Sequence, residues 1–328
     1  MEKRRLGTSD LYLTTIGLGT WAIGGGGWQW GWGPQDEGDS LRTIQTSLDL
    51  GINWIDTAPV YGLGLAETLV GKAIRGRREQ VIIATKCGQV WDEQPGGRVV
   101  RRLDAESIRR EVEASLRRLQ VDVIDLYQIH WPDPEAEIET AWEVIADLIR
   151  AGKVRYGGVS NFSVPQLERV QPIHPVVSVQ PEYSMLVRAP EERLLTYCDD
   201  HQIGVIACSP LRSGLLTDSF SRPRVAQLDA KDWRRADRDF QEPRLTANLQ
   251  LIEKLKQIAY RHNRPLVQLA TAWVIEQPEV TAAIVGARRP DQIANCVAAA
   301  DWELSEEVLI EIEELLLDHE ELMARELI

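Results

Sequence analysis

The chain has 328 residues, of which 44% are hydrophobic and 27% charged, as is ordinary for a globular enzyme. A chain of this length can bury a sizeable core, so it needs neither disulfides nor a structural metal. The formal net charge of −13 argues against nucleic acid and against anionic membranes as general partners. A phosphate-bearing ligand would therefore need a local positive site.

Neither the cysteines nor the start of the chain indicate export. The four cysteines show no CxxC pairing and no metal-like spacing, and they suit free thiols in a reducing compartment: Cys87, Cys198, Cys208 and Cys296. Residues 1–5 are not followed by the apolar run of a signal peptide. No segment approaches the roughly 18 apolar residues of a membrane span. We therefore expect a cytoplasmic protein.

Short apolar strands alternate with amphipathic helices along the whole chain. After a hairpin over residues 3–14, strands are predicted at 15–19, 53–56, 81–86, 124–130, 154–160, 176–180, 204–209 and 282–286. Helices are predicted at 40–50, 65–75, 104–119, 138–151, 191–201, 247–261 and 290–300, with extra helices at 266–277 and about 305–326. Because parallel strands need crossover helices, the pattern favours an α/β fold, a single-domain (β/α)8 TIM barrel, over an open doubly wound sheet.

Local signals refine this reading. Asp39 or Ser40 is expected to cap the first helix, and Asp104 the third. The acidic stretch 301–326 carries apolar residues at helical spacing, which favours a helix docked on the domain over an acidic interaction tail. Three irregular stretches, at 22–37, 88–102 and 213–244, are too long for plain connections and are expected to be functional or mobile.

Polar side chains follow three consecutive predicted strands, at the end where a barrel carries its functional groups. Asp56 ends the second strand and is followed by Tyr61, while Lys86 ends the third strand and His130 the fourth. An ammonium lowers the pKa of a nearby phenol from its usual value of about 10, and a carboxylate holds that ammonium in place. This chemistry predicts Tyr61 as a proton donor, Lys86 as the group that lowers its pKa, and Asp56 as the anchor of Lys86. His130 would orient a carbonyl oxygen.

Each of these residues alone also fits a structural role. Asp56 could cap a turn, Tyr61 could close one, Lys86 could end a surface strand, and His130 could be a packed core histidine. Their convergence on consecutive strands favours the functional interpretation.

Several motifs resemble those of the aldo-keto reductases. They are DTAPVYG at 56–62, ATK at 84–86, DLYQIHWP at 125–132 and GVSNF at 158–162. Residues 16–24 (IGLGTWAIG) and 130–134 (HWPDP) are similar to the bacterial general-stress and inositol-operon branch. The resemblance runs from the hairpin to about Ala300. It implies the barrel, reduction of a carbonyl compound, an extended nicotinamide cofactor that binds first, and the four roles given above.

Matched position by position, the family pattern implies further cofactor contacts. Thr20, Trp21 and Asp56 would flank the nicotinamide, and Ser160, Asn161 and Gln180 would hold its carboxamide. The segment 209–216 resembles the loop that closes over the pyrophosphate, where Gly214 permits close approach and Arg212 supplies charge. The contacts expected on or beside this loop are Cys208, Ser209, Pro210, Leu211, Arg212, Ser213 and Gly214.

The segment 286–292 joins the eighth strand to a helix whose first amides favour phosphate. Arg288, rather than Arg289, is expected on a 2′-phosphate, which favours NADPH over NADH. The remaining contacts expected here are Gly286, Ala287 and Gln292. Two positions depart from the family pattern: Cys208 replaces a ring that often stacks on the nicotinamide, and Asn295-Cys296 replace a Glu-Asn pair at the adenine.

The glycine-rich stretch after the first strand needs separate interpretation. Residues 17–22 match the loose dinucleotide fingerprint G-x-G-x-x-A, but that motif works only when a helix follows. Here glycines and alternating tryptophans follow instead, which excludes it. A hydrophobic substrate wall or simple packing of the loop would explain these tryptophans. The residues expected at the substrate pocket are Trp21, Trp28, Trp91 and Trp131.

Three functions compete at this point. The first is an NADPH-dependent reductase acting on a small-molecule carbonyl substrate. The second is a cofactor-sensing binding protein without turnover. The third is a metal-dependent barrel hydrolase, which would need clustered ligands such as His-x-His on the first strand; the five histidines show no such spacing. We expect the first, and no metal.

Overall fold

The structure, a computed structural model, describes residues 1–92, 97–229 and 232–326. Parts of two predicted long loops, residues 93–96 and 230–231, lie outside the described residues. The strands are β1 (Lys3–Arg5), β2 (Tyr12–Thr14), β3 (Ile16–Gly19), β4 (Trp54–Asp56), β5 (Ile82–Cys87), β6 (Gln89–Trp91), β7 (Val99–Arg101), β8 (Ile124–Ile129), β9 (Val154–Ser160), β10 (Ser178–Gln180), β11 (Gly204–Ala207) and β12 (Val280–Gly286).

Helices lie between and around these strands. They are α1 (Glu37–Asp49), α2 (Leu65–Ala73), α3 (Ala105–Leu119), α4 (Ile138–Arg150), α5 (Val164–Val170), α6 (Leu194–Asp200), α7 (Arg222–Ala226), α8 (Arg244–Arg261), α9 (Leu266–Glu276), α10 (Pro290–Val297) and α11 (Glu306–Glu326). Short 3-10 turns, such as Trp21–Gly24 and Trp233–Ala236, lie in the long loops. Within the described ranges, no helix has the length and apolar character needed to cross a bilayer.

Eight parallel strands close into a barrel in the order β10-β11-β12-β3-β4-β5-β8-β9, which confirms the predicted TIM barrel. The register pairs Asp56 with Ala84 and Lys86 with Gln128 across β4, β5 and β8. Because all eight strands run in one direction, their carboxyl ends share one rim. That rim carries the polar residues singled out above.

The antiparallel hairpin β1–β2 closes the opposite end of the barrel. Leu6, Leu11 and Leu13 are buried and pack with interior side chains of the strands. The indole of Trp54 donates to the carbonyl of Thr14 at 2.9 Å, which fixes the hairpin to β4. The predicted hairpin is therefore a plug for the barrel interior.

The helix predictions hold with small shifts and three corrections, one of which is α7, a five-residue helix inside the stretch 213–244 that was predicted to be irregular. Asp36, not Asp39 or Ser40, caps α1, because its carboxylate accepts the amide of Asp39 at 2.8 Å. Helix α5 was missed because it is only seven residues long, although Ser163 and Gln166 form a capping box at its start. The docked C-terminal helix is present: α11 packs on α8 and buries Val308, Ile312 and Leu316.

Candidate active site

The four predicted catalytic residues meet at the carboxyl rim of the barrel. The Lys86 ammonium donates to Asp56 Oδ1 at 2.5 Å and to the carbonyl of Thr57 at 3.0 Å. It lies 3.5 Å from the Tyr61 hydroxyl. Lys86 is fully buried at the end of β5, and Asp56 is 2% exposed at the end of β4. The barrel thus places an amine, a carboxylate and a phenol within hydrogen-bond range of one another.

The second oxygen of Asp56 is held by two amides. Gln180 Nε2 donates to Asp56 Oδ2 at 2.9 Å, and Gln128 Nε2 lies 3.4 Å from the same oxygen. Gln128 was not predicted, although the sequence carried a signal: on β8 it shares the inward face with Leu126 and precedes His130 by two residues. With both oxygens engaged, the carboxylate cannot turn away from Lys86.

Burial, rather than the ammonium, dominates the acidity of Tyr61. Desolvation raises the pKa of the phenol well above its usual value, and the charge of Asp56 and the Cys208 thiol act in the same direction. The lowering expected from the Lys86 ammonium does not outweigh the effect of burial. Tyr61 is consequently a protonated phenol at neutral pH.

His130 is held as a neutral imidazole beside this phenol. Burial lowers its pKa well below the usual value, and the charges of Lys86 and Arg101 act in the same direction. Its ring lies 5.9 Å from the ring of Tyr61, edge to face. Among the described residues, neither ring nitrogen makes a hydrogen bond. One N–H therefore remains free to donate to a ligand oxygen.

A cleft of about 1050 Å³ opens over these residues and extends across the rim to α10. Its wall includes Tyr61, His130 and every residue predicted to contact the cofactor: Thr20, Trp21, Asp56, Ser160, Asn161, Gln180, Cys208, Ser209, Pro210, Leu211, Arg212, Ser213, Gly214, Gly286, Ala287, Arg288 and Gln292. The lining thus runs from Asp56, Tyr61 and His130 to the start of α10. Gly286 faces open space, where a side chain would narrow the passage. Within the described ranges, no three His, Cys, Asp or Glu side chains are grouped to hold a metal ion.

Comparison with known proteins agrees with this geometry. The profile of the aldo/keto reductase family matches residues 15–317. The chain belongs to that family. It is 40% identical to the aldo-keto reductase YhdN of Bacillus subtilis over 94% of this chain and 91% of that protein. It is 37% identical to the NADH-specific methylglyoxal reductase of Escherichia coli over 93% and 95% of the two chains.

A solved structure gives the same result. The glycerol dehydrogenase from Gluconobacter oxydans superimposes with a TM-score of 0.88 at 36% identity, covering 97% of this chain and 96% of that one. This aldo-keto reductase is thus an oxidoreductase of a family that uses a nicotinamide cofactor. Since the E. coli relative is NADH-specific, the family includes enzymes that use NADH.

Hydrogen bonds at the strand ends fix the polar side chains that lie nearest the four catalytic residues. These four residues, Asp56, Tyr61, Lys86 and His130, are called the tetrad below. Ser160 donates to the carbonyl of Gln180 at 2.9 Å, and the Asn161 amide donates to the carbonyl of His130 at 3.0 Å. Asn161 adopts a φ of 61°, an uncommon conformation that turns the chain at the end of β9. These bonds stabilise the strand ends, and they also hold the side chains at the cleft wall.

The loop after β11 carries strain but no free positive charge at Arg212. Ser209, Arg212 and Ser213 all have positive φ, which is costly for residues other than glycine and clusters at binding sites. The Arg212 guanidinium, however, is paired with three carboxylates, those of Glu182, Asp237 and Asp239. The expected supply of a free charge for the pyrophosphate is therefore not seen, because acidic residues of neighbouring segments already neutralise it.

Arg288 connects the β12–α10 segment to the glycine-rich loop. Its guanidinium donates to the Gln35 side chain at 2.7 Å, to the carbonyl of Trp32 at 3.0 Å and to that of Pro34. All these acceptors are uncharged. Its pKa is lowered by burial and by the neighbouring charges of Arg234 and Arg289. Arg234 is paired with Asp232 and Arg289 with Asp291, so Arg288 is the one of these three guanidinium groups without a carboxylate partner among the described residues.

Tryptophans of the glycine-rich loop and Trp233 form an aromatic group beside Tyr61. Trp21 stacks on Trp233 at 5.3 Å and lies nearly parallel to the Tyr61 ring at 6.3 Å. Trp28 lies in the wall as expected, whereas Trp91 does not. Trp91 points to α3 instead, where Arg118 lies 5.9 Å from its ring, so its assignment to the pocket is wrong.

Trp233 and Arg234 were missed entirely. They reach the cleft from the loop 213–244, and Arg234 lies 4.5 Å above the ring of Trp32. No periodicity in that loop indicates where it folds, so only the structure shows the contact. At the two positions that depart from the family pattern, Cys208, Asn295 and Cys296 all line the cleft, with no aromatic ring at 208.

Proposed function

We propose that this reductase uses NADPH to reduce aldehydes and ketones to alcohols, with Tyr61 as the general acid. The observation that carries the proposal is that Tyr61 lines the cleft while its hydroxyl lies 3.5 Å from the buried Lys86 ammonium. A reduced nicotinamide bound in the cleft would supply the hydride. The protein residues would provide the proton, orient the carbonyl oxygen and exclude water.

The protonation states support these roles. Tyr61 holds its proton at neutral pH and gives it up only when negative charge develops on the substrate oxygen, since its raised pKa opposes earlier ionisation. Lys86, held by Asp56, stabilises the phenolate that remains. Neutral His130 donates to the same substrate oxygen. The surrounding tryptophans keep the local dielectric low, which strengthens each of these interactions.

The preference for NADPH rests on Arg288. This residue makes its hydrogen bonds to uncharged oxygens, so its charge remains available to an anion such as a 2′-phosphate. Arg234 and Arg289 lie nearby, but each is paired with a carboxylate, that of Asp232 and that of Asp291.

Substitution of the phenol tests the acid. Tyr61→Phe should reduce kcat on the order of 10²- to 10⁴-fold, as is typical for loss of a general acid. NADPH binding, followed by tryptophan fluorescence, should remain. Full turnover by this variant would show that another group donates the proton. Tight NADPH binding by the native enzyme without reduction of any aldehyde in a broad panel would favour a cofactor-sensing protein instead.

Titration of both cofactors tests the preference. NADPH should bind more tightly than NADH, and Arg288→Ala should reduce that ratio by about tenfold, the value of one charge-assisted contact. Arg289→Ala is the matched control, because Arg289 is exposed and already paired with Asp291. Tighter binding of NADH, or a ratio unchanged by Arg288→Ala, would remove the case for a 2′-phosphate site.

A further inference from the structure

Arg101 brings a guanidinium to the part of the cleft wall that carries His130, and none of the roles above uses it. Arg101 ends β7, the outer strand of the small hairpin after β5, and it lines the cleft together with His130 and Trp131. Its guanidinium carbon lies 4.3 Å from the centre of the Trp131 ring. The indole therefore supports the guanidinium and limits its orientation.

Most of the hydrogen-bonding capacity of Arg101 is unused. Its Nη1 donates to Asp133 Oδ2 at 3.0 Å, and in the part of the chain that the structure describes neither Nε nor Nη2 makes a hydrogen bond. Asp133 is 55% exposed and does not line the cleft. Exposed pairs of this kind contribute little free energy, so a ligand carboxylate could share the guanidinium or displace Asp133.

Two other arginines of the cleft wall, Arg212 and Arg289, differ in this respect. Arg212 is paired with three carboxylates, and the Arg289 guanidinium forms two bonds to Asp291. Arg101 is close enough to His130 for its charge to be one of the lesser causes of the lowered pKa of that imidazole. The forked donors of Arg101 therefore remain open on the side of the cleft that carries His130.

We propose that Arg101 is a specificity-determining residue that binds a carboxylate on the substrate, so that the preferred substrates are aldehydo or keto acids. This inference rests on the proposed function, because it concerns the substrate of the same site. The planar guanidinium binds a carboxylate through two parallel N–H groups. The neighbouring Trp131 and Trp28 provide apolar walls for the carbon skeleton between the acid and the carbonyl group.

The test compares paired substrates at saturating cofactor. The native enzyme should reduce meta- or para-carboxybenzaldehyde with a higher kcat/KM than the corresponding methyl ester. Arg101→Gln should lower kcat/KM for the acid on the order of 10- to 100-fold, mainly through KM, and change that for the ester less than about twofold. Arg101→Lys should restore part of the difference, since it keeps the charge but not the fork.

Two further variants sharpen the result. Asp133→Asn should raise the preference for the acid, because it removes the competing carboxylate. Arg102→Gln is the matched control: Arg102 is the adjacent arginine, exposed, and absent from the cleft wall. An acid-to-ester ratio that is the same in the native enzyme, Arg101→Gln and Asp133→Asn would overturn the inference while leaving the proposed function intact. If neither substrate of any pair were reduced, both would fail.

Discussion

At the scale of single residues, the site depends on a buried ion pair. Lys86 and Asp56 are almost completely removed from water, and their mutual attraction offsets a desolvation cost of several kcal/mol per ion. Such a pair contributes little net stability compared with apolar side chains of the same shape. Its retention at the rim is explained by chemistry, because it fixes an ammonium beside the Tyr61 hydroxyl.

Replacing one partner of the Lys86–Asp56 pair should therefore lower the free energy of unfolding more than replacing both partners. Asp56→Asn or Lys86→Met alone leaves one uncompensated buried charge and should lower the free energy of unfolding by about 3–5 kcal/mol. The double variant should recover at least half of that loss while remaining inactive. Denaturant unfolding measures the stabilities, and the exposed pair Arg77–Asp49, treated in the same way, should change by less than about 1 kcal/mol. A double variant as unstable as the sum of the single variants would contradict this.

A second buried carboxyl connects stability to pH. Glu111 of α3 accepts the amide of Gly88 at 2.9 Å and the hydroxyl of Ser107 at 3.0 Å, and burial raises its pKa to about 7. In the unfolded chain the pKa of Glu111 is near the ordinary value for glutamate. Between that value and pH 7, Glu111 is therefore protonated in the native state and ionised in the unfolded state. The contribution of Glu111 to the free energy of unfolding should therefore be fully present below the lower of these two pKa values, and it should be lost as the pH rises towards 7.

The expected loss is on the order of 1–3 kcal/mol, and Glu111→Gln should remove it. Unfolding of both proteins at pH 5 and pH 8 measures the effect. Glu106→Gln, on the exposed face of the same helix, should retain the native dependence. If the native enzyme and Glu111→Gln lost stability equally between these two pH values, another group would be responsible.

The residue scale also shows how far the sequence determines the site. Asp56, Tyr61, Lys86 and His130 could be predicted because strand order alone places them at one rim. Gln128 could have been found from the alternation along β8. The net change in the pKa of Tyr61 could not be predicted from the sequence. It depends on how completely the pocket excludes water and on the distance between Lys86 and Asp56.

At the scale of elements, two loops meet backbone to backbone beneath the aromatic group. Gly62 has a φ of 63°, and a Cβ built there would lie 2.2 Å from the carbonyl oxygen of Gly24. Gly24 follows Trp21 in one loop, and Gly62 follows Tyr61 in the other. The absence of side chains at both positions sets the spacing between Trp21 and Tyr61.

Gly62→Ala should therefore separate these loops. Left-handed backbone alone costs about 1–2 kcal/mol for alanine, and the steric conflict should add to this cost and lower kcat. Gly76→Ala is the matched control, with a φ of 78° and nothing within 4 Å of the added carbon. Unfolding and steady-state rates should show a larger loss at Gly62 in both measurements. Equal effects at the two glycines would mean that the close approach is unimportant.

Elements with strong periodicity could be predicted, and long loops could not. The barrel strands and most helices agree with their hydrophobic patterns within a few residues. The short elements β6, β7, α5 and α7 were not predicted, because each has seven residues or fewer. The loop 213–244 brings Trp233 onto Trp21 through tertiary packing alone. Nothing local in its sequence specifies that contact, so the outer part of the substrate pocket had to be read from the structure.

At the scale of the whole molecule, the barrel separates stability from chemistry. The tetrad and the cleft occupy the carboxyl rim, while β1 and β2 close the amino end with buried leucines. The count of eight strands with intervening helices was enough to predict closure. In barrels of this kind, residues at the amino end affect stability, and residues at the carboxyl rim affect activity.

Removal of a plug side chain should therefore destabilise the enzyme without altering its reaction. Leu6 is fully buried against the barrel interior, so Leu6→Ala should lower the free energy of unfolding by about 2–5 kcal/mol, through lost transfer energy and a residual cavity. Tyr12→Ala in the same hairpin is the control, since Tyr12 is 53% exposed and its loss should change stability by about 0.5 kcal/mol or less. At a temperature where both variants are folded, kcat/KM should equal that of the native enzyme, because the tetrad lies at the other end of the strands. A large fall in kcat/KM for Leu6→Ala, measured on fully folded protein, would show that the plug is coupled to the rim.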